Sequence, residues 1–375
     1  MEIVISHMSA LEYWRLYGHK KINKDAKKRR KRLQDTIPSL SLVCELVPEG
    51  LSPPVNLLIG TLGARRKSKM VRPRVYTRPV PEWGFIETGN GVTVCSPAFC
   101  FFQMAAELPL LRLIELGYEL CGSYSLPVGE SENLNPGSKA AGNPGSKAIG
   151  KVSEAEQKAI GNPGSKAAGR VSEAEQKAAD KLQYSRTPLT NIKALTAFAP
   201  RMKGAKGYKN AKRALHYIID GSASPMETIL VMMLTLPHKL GGYGLPKPEM
   251  NKRIEIGKAA KHRPDRAFYK CDLIWEKAAF AVEYDSDMFH AGADRIAEDS
   301  MKRFDMSVLG IEPISLTNRQ IRNAVEFDAF AKLIAAKLGK QLRFRSRQYP
   351  AAQRELRGLL PGNDASFNDS KKEPR

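Results

Sequence analysis

The sequence predicts a mixed α/β protein, and three observations carry that prediction. Residues 222–340 alternate helical and strand-like hydrophobic periods in the order αβββαβα. Residues 1–128 intersperse short strand patterns with apolar helical runs, giving a mixed α/β N-terminal domain. Between them lies a repetitive segment with too few large apolar side chains to bury a core, expected to be a disordered insertion.

The first stretch, MEIVISHMSALEYWRLYG, interrupts its apolar positions with Glu2, His7 and Glu12 and carries no cationic leader, so a cytoplasmic protein is expected. Basic residues then crowd from Lys20 to Arg32 with Asp25 as the one offset, an exposed arm over residues 19–33. It is either a phosphate-tracking segment or a solvated helix face. LLIGTL, FIETG and VTVCS read as strands, with a tight hairpin turn at Asn90-Gly91. Ser96 and Pro97 supply an N-cap and a first-turn proline for a helix through FCFFQMAAEL. Pro109 restarts it as LLRLIEL, ending before Gly117. The Phe and Met residues of this run are expected in the core.

Residues 129–183 hold the repeats: NPGSKAAG at Asn135 and Asn162 and NPGSKAIG at Asn143, interleaved with KVSEAEQKA and RVSEAEQKA. Ser153 and Glu156 match a capping box, which allows a local helical turn, but the shortage of apolar residues excludes a solenoid. Residues 184–221 follow as a basic helical connector. Lys203, Lys206, Lys209, Lys212 and Arg213 surround Tyr208 and Tyr217, a pattern of either a nucleic-acid face or a snorkelling amphipathic helix.

Ser224-Pro225-Met226-Glu227 opens the apolar helix TILVMMLTL, and the chain turns through LGGYGLPKP. NKRIEI, YKCDLIW and AFAVEYD are three strands, the last two joined by a tight turn at Glu276-Lys277. A helix from about Ala293 stops at Gly310, IEPISL is a fourth strand, and NAVEFDAFAKLIAAKL closes before Gly339. Residues 341–375 read as a basic, disordered tail.

Against 39 acidic residues the chain of 375 carries 60 Lys and Arg, a formal charge of +21, which points to a polyanionic partner. Nucleic acid fits better than a membrane, because no apolar run of about 18 residues exists to anchor in lipid. The cysteines, Cys44, Cys95, Cys100, Cys121 and Cys271, form no C-x-x-C pair and read as reduced core residues. No Walker loop, G-x-G-x-x-G fingerprint or G-x-S-x-G elbow is present, so nucleotide hydrolysis, dinucleotide redox chemistry and serine hydrolysis lack support.

Chemistry concentrates in the C-terminal strands. Strand alternation points Glu283 and Asp285 to one face, and a hairpin between the second and third strands brings Asp272 beside them. Carboxylates gathered in this way repel unless a hard cation such as Mg²⁺ or Mn²⁺ binds their oxygens, activating water for attack on a phosphodiester. The same three residues read equally as exposed strand ends. Glu227 stands at the third position of a capping box with Ser224, and His290 is either a general acid or base or a structural histidine. Lys302 and Arg303 are placed to clamp phosphate or to project into solvent.

CDLIWEKAAFAVEYDSDMFH, followed by DRIAEDSMKRFDMSVLGIEPISLTNRQI, resembles nuclease-like domains related to very short patch repair endonucleases, a branch of the PD-(D/E)XK superfamily. The resemblance covers about a third of the chain and implies a restriction-endonuclease-like core. It implies a metal site at Asp272, Glu283 and Asp285, with His290 and Glu227 accompanying it, and matches a D-x-x-x-R helix to Asp299, Arg303 and Gly310. Two positions depart from the pattern: Asp285 stands where the superfamily places its Lys, and Ser286 replaces a Gly. Lys302 is a candidate to supply the missing cation from the neighbouring helix. ISHMSALEYWR and VTVCSPAFCFFQMAAELPLLRLIELG are similar, at scattered positions, to abortive-infection antitoxin-like proteins, which implies a defence or mobile-element setting. The expected function is a metal-dependent DNA endonuclease or nickase with DNA as partner. The alternatives are a non-catalytic DNA-binding regulator that keeps the nuclease fold and an antitoxin-like protein that neutralises a partner toxin.

Overall fold

The computed structural model describes residues 2–19, 33–36, 38–61, 68–89, 91–128, 182–256, 267–285, 293–342 and 347–361. These form a mixed α/β protein with two mixed sheets, divided into two compact units. The basic arm at 20–32, most of the repeat insertion, its Ser153–Glu156 pair and His290 lie outside the described residues.

The N-terminal unit comprises Met1–Leu113 with Ser125–Leu215. Its sheet is built from β1 (Ile3–Ile5), β2 (Val55–Ile59), β3 (Val71–Val75), β4 (Phe85–Gly89) and β5 (Val92–Cys95), in the order β3-β2-β1-β5-β4. The central strands β1 and β5 run parallel, Ile5 opposite Val94, and each feeds a helix: α1 (His7–Tyr17) and α3 (Pro97–Met104). Between them in sequence lies the short α2 (Leu40–Leu46). Trp14 of α1 is fully buried and donates its indole N–H to the Cys95 carbonyl at 2.9 Å, tying helix to sheet. Ser96 caps α3 by accepting from the Phe99 N–H at 3.3 Å, and Pro97 occupies the first turn, as the sequence predicts.

Helix α4 (Leu110–Cys121) runs straight through Gly117 where the sequence predicts a stop. Burial of Leu116, Tyr118, Leu120 and Cys121 outweighs the roughly 1 kcal/mol that a mid-helix glycine costs. Its residues from Ile114 onward belong to the C-terminal unit, together with His216–Arg375. The expected connector at 184–221 is likewise divided. Helices α5 (Ile192–Phe198) and α6 (Tyr208–Leu215) belong to the N-terminal unit, where the Phe198 ring sits 6.0 Å from Phe99 and 5.8 Å from Phe102.

In the C-terminal unit, α7 (Pro225–Thr235) buries every residue from Ile229 to Leu234. The second sheet follows: β6 (Glu249–Glu255), β7 (Phe268–Trp275), β8 (Phe280–Asp285) and β9 (Glu312–Thr317), in the order β6-β7-β8-β9. The first three strands form an antiparallel meander. Helix α8 (Ala293–Val308) crosses over so that β9 returns parallel to β8. A core of Ile256, Tyr269, Cys271, Ile274, Ala281 and Met306 joins α8 to the sheet. Helices α9 (Asn318–Arg322), α10 (Ala324–Lys337) and α11 (Tyr349–Arg357) complete the unit.

The last of these corrects the expectation of a disordered tail over residues 347–361, while residues 343–346 and 362–375 lie outside the described residues. Tyr349 and Leu356 of α11 are buried, and the Tyr349 ring packs 5.5 Å from His238 and 6.3 Å from Tyr243. Gly241, at φ +86°, lies so close to the Ala352 backbone that a methyl group would collide with it. The Gly-rich turn is therefore a docking surface for α11. Of the cysteines, Cys44 is exposed and the other four are buried.

Candidate active site

Strand register gathers the site. Met250 pairs with Leu273 and Lys252 with Cys271, which sets Asn251 opposite Asp272. Leu273 pairs with Val282, so the next step along the hairpin sets Asp272 opposite Glu283, and Glu283 in turn pairs with Ser315. Extended one step past the paired residues, this register lines up Asn251, Asp272, Glu283 and Ser315 as a row. Asp272 is the fifth residue of the eight in β7, one step beyond the last paired residues of the β7–β8 hairpin, Leu273 and Val282.

Burial dominates the electrostatics of the pair. The Asp272 carboxyl is pushed up to about 7, first by desolvation and then by the nearby charges of Glu283 and Glu227, although its Oδ2 accepts the Tyr284 N–H at 2.8 Å. Glu283 is also raised by burial, against the opposing pull of Lys302, whose Nζ lies 2.8 Å from Glu283 Oε2. The same ammonium donates to the Lys270 carbonyl at 3.2 Å. Glu283 Oε1 is buried and accepts no hydrogen bond. The Cys271 thiol is pushed up to about 12 by burial and by Glu283.

Glu227 stands at the edge of this cluster with both oxygens engaged. Its Oε1 accepts from Ser224 Oγ at 2.9 Å, its Oε2 accepts from the Ala223 N–H at 3.0 Å and from the Asn251 amide, and its own N–H donates to Ser224 Oγ. The capping role is thus observed, while the charge still reaches Asp272 and Glu283. Asp285 lies two residues beyond Glu283, paired with Thr317 at the end of β8. Arg303, exposed on α8, donates to Ser315 Oγ at 3.4 Å, at the far end of the row. Lys209, Lys212 and Arg213 are exposed on α6, in the other unit.

Sequence reasoning missed Asn251, Tyr269 and Asp305. Asn251 adopts a left-handed conformation (φ 50°) and holds Glu227 and the Gly221 carbonyl. Tyr269 donates to the buried Asp305 carboxylate at 2.6 Å, pinning α8 one turn beyond Lys302. An apolar-to-acidic break at Asp305 within a helix was the one available signal.

No protein-family model, curated protein or solved structure matches the chain. Among the described residues no three His, Cys, Asp or Glu side chains converge as a ready metal-ligand group, and no helix is long and apolar enough to cross a membrane. Asp272 and Glu283 nevertheless suit a divalent cation. They are two desolvated carboxylates on adjacent strands whose charges interact, one with an orphaned oxygen, and Mg²⁺ commonly takes one or two carboxylates and fills its other positions with water and phosphate.

Proposed function

We propose that the C-terminal unit is a metal-dependent DNA endonuclease or nickase with a PD-(D/E)XK-type core. The observation that carries this reading is the half-buried Asp272–Glu283 pair with the Lys302 ammonium 2.8 Å from Glu283. Lys302 stands in for the lysine that Asp285 displaces in the strand motif. The strand order, with β7 antiparallel to its neighbours, supports the same core.

Asp272 and Glu283 would hold Mg²⁺ or Mn²⁺, which when bound supplies charge stabilisation at phosphate and an activated water. Lys302, beside Glu283, would donate a hydrogen bond to the reacting phosphate. Arg303, exposed beside Ser315, offers a backbone phosphate contact. The excess of basic residues supports salt-sensitive, sequence-independent DNA affinity.

The absence of a three-carboxylate group among the described residues favours a second reading, a DNA-binding regulator without turnover. Gel-shift and cleavage assays on one supercoiled plasmid, with Mg²⁺ or Mn²⁺, separate the two. Binding with nicking supports the nuclease; salt-sensitive binding with no strand breakage in either metal supports the regulator.

A further inference from the structure

A cleft with basic residues lies in the N-terminal unit, independent of the acidic pair. A half-open cleft of about 640 Å³ is lined by His7, Arg74, Arg78, Gln103, Glu107 and Lys206. We propose that it binds a phosphate monoester carried on a planar ring, either a free nucleotide or the 5′-phosphorylated end of a nucleic-acid strand.

Its floor is built and fixed. Arg74 donates Nε–H to Asn56 Oδ1 at 2.8 Å and pairs with Glu107 at 2.8 Å, while Asn56 is itself held by Ser9 Oγ at 3.0 and 3.2 Å. The Arg74 charge is thus neutralised by Glu107. Arg78, whose guanidinium straps the Lys203 carbonyl at 2.5 Å, and Lys206, which makes no ion pair among the described residues, leave two positive charges in excess. Two cations beside a fixed guanidinium match the charge and fork geometry of a phosphate dianion.

His7 adds a neutral polar group. Burial, reinforced by Arg74, pushes its imidazole down to about 3, its Nδ1 lies 3.0 Å from Ser6 Oγ, and its backbone N–H donates to Gln103 Oε1 at 3.0 Å. The remaining wall is apolar, with the half-buried Tyr76 open to the cleft over the buried Phe102 and Met202. An anion with no hydrophobic part would leave that wall wet. A base or similar ring would cover it, and the volume falls within the usual range for such ligands.

Isothermal titration of the full-length chain in EDTA tests this with four probes: AMP, adenosine, a 5′-phosphorylated dinucleotide and its 5′-hydroxyl counterpart. The phosphorylated probes are expected to bind at least about tenfold more tightly than their unphosphorylated partners. The double variant Arg78→Gln, Lys206→Gln is expected to erase that difference while still unfolding cooperatively, since Lys206 is exposed and the half-buried Arg78 loses a hydrogen bond to the Lys203 carbonyl. AMP outbinding the dinucleotide assigns a free nucleotide, and the reverse assigns a strand end. Equal binding of phosphorylated and unphosphorylated probes, no saturable binding, or an unchanged preference in the double variant overturns the proposal.

Discussion

Ionising Asp272 in the folded protein is costly. Its folded pKa, about 7, stands above the ordinary carboxylate value of 3.8, so the native state holds a proton that the unfolded chain releases. Stability attributable to this group is therefore full below about pH 4 and is lost as pH rises toward 7. Asp272→Asn removes the titration while keeping an acceptor for the Tyr284 N–H. The variant is expected to gain stability over the wild type progressively between pH 4 and 7 in EDTA, with the difference flat above that range. Urea unfolding at several pH values measures it, and a difference independent of pH contradicts the assigned cause. The nearness of Asp272 and Glu283 was legible because strand alternation and hairpin spacing are local. Lys302 was legible as a candidate alone, since its approach to Glu283 depends on how α8 crosses the sheet. Asn251 was illegible, because a left-handed residue inside a strand leaves no periodic signature.

At the scale of elements, α8 is the part that completes the site. Met306 is in the core, and the Tyr269–Asp305 hydrogen bond fixes the helix one turn from Lys302. Tyr269→Phe removes a donor from a buried carboxylate and is expected to cost roughly 1–3 kcal/mol in denaturant unfolding. A change within a few tenths of a kcal/mol would show that packing alone seats α8. The succession α7-β6-β7-β8-α8-β9 was readable because its caps and strand alternation agree, whereas the three helices that follow β9 were read as one. The N-terminal sheet was only partly so. Strand β1 has three residues, too few to show a period, and β3 contains Pro73, which argues against a strand until β3 is seen at the sheet edge, where a missing N–H is tolerated.

At the scale of the whole molecule, sequence order and compact units diverge. Tyr118 donates to the Tyr217 carbonyl at 3.1 Å, Tyr124 bonds Thr228 at 2.9 Å, and the Ser123 N–H donates to the Ser222 carbonyl at 2.8 Å, so residues 114–124 complete the C-terminal unit. Hydrophobic patterning could not reveal this, since a helix shared between two cores looks like any other apolar helix. A fragment of residues 222–340, the boundary that patterning gives, lacks both this segment and α11 and is expected to show no cooperative thermal unfolding by circular dichroism. A sharp transition at the full-length midpoint would show that the extra elements are dispensable. For the function, the decisive measurement is nicking of supercoiled plasmid by the intact chain in Mn²⁺, wild type against Glu283→Gln. Metal-dependent nicking that falls by about 10²-fold or more in the variant is predicted; equal nicking by the two proteins, or none by the wild type, would contradict a nuclease built on Asp272 and Glu283.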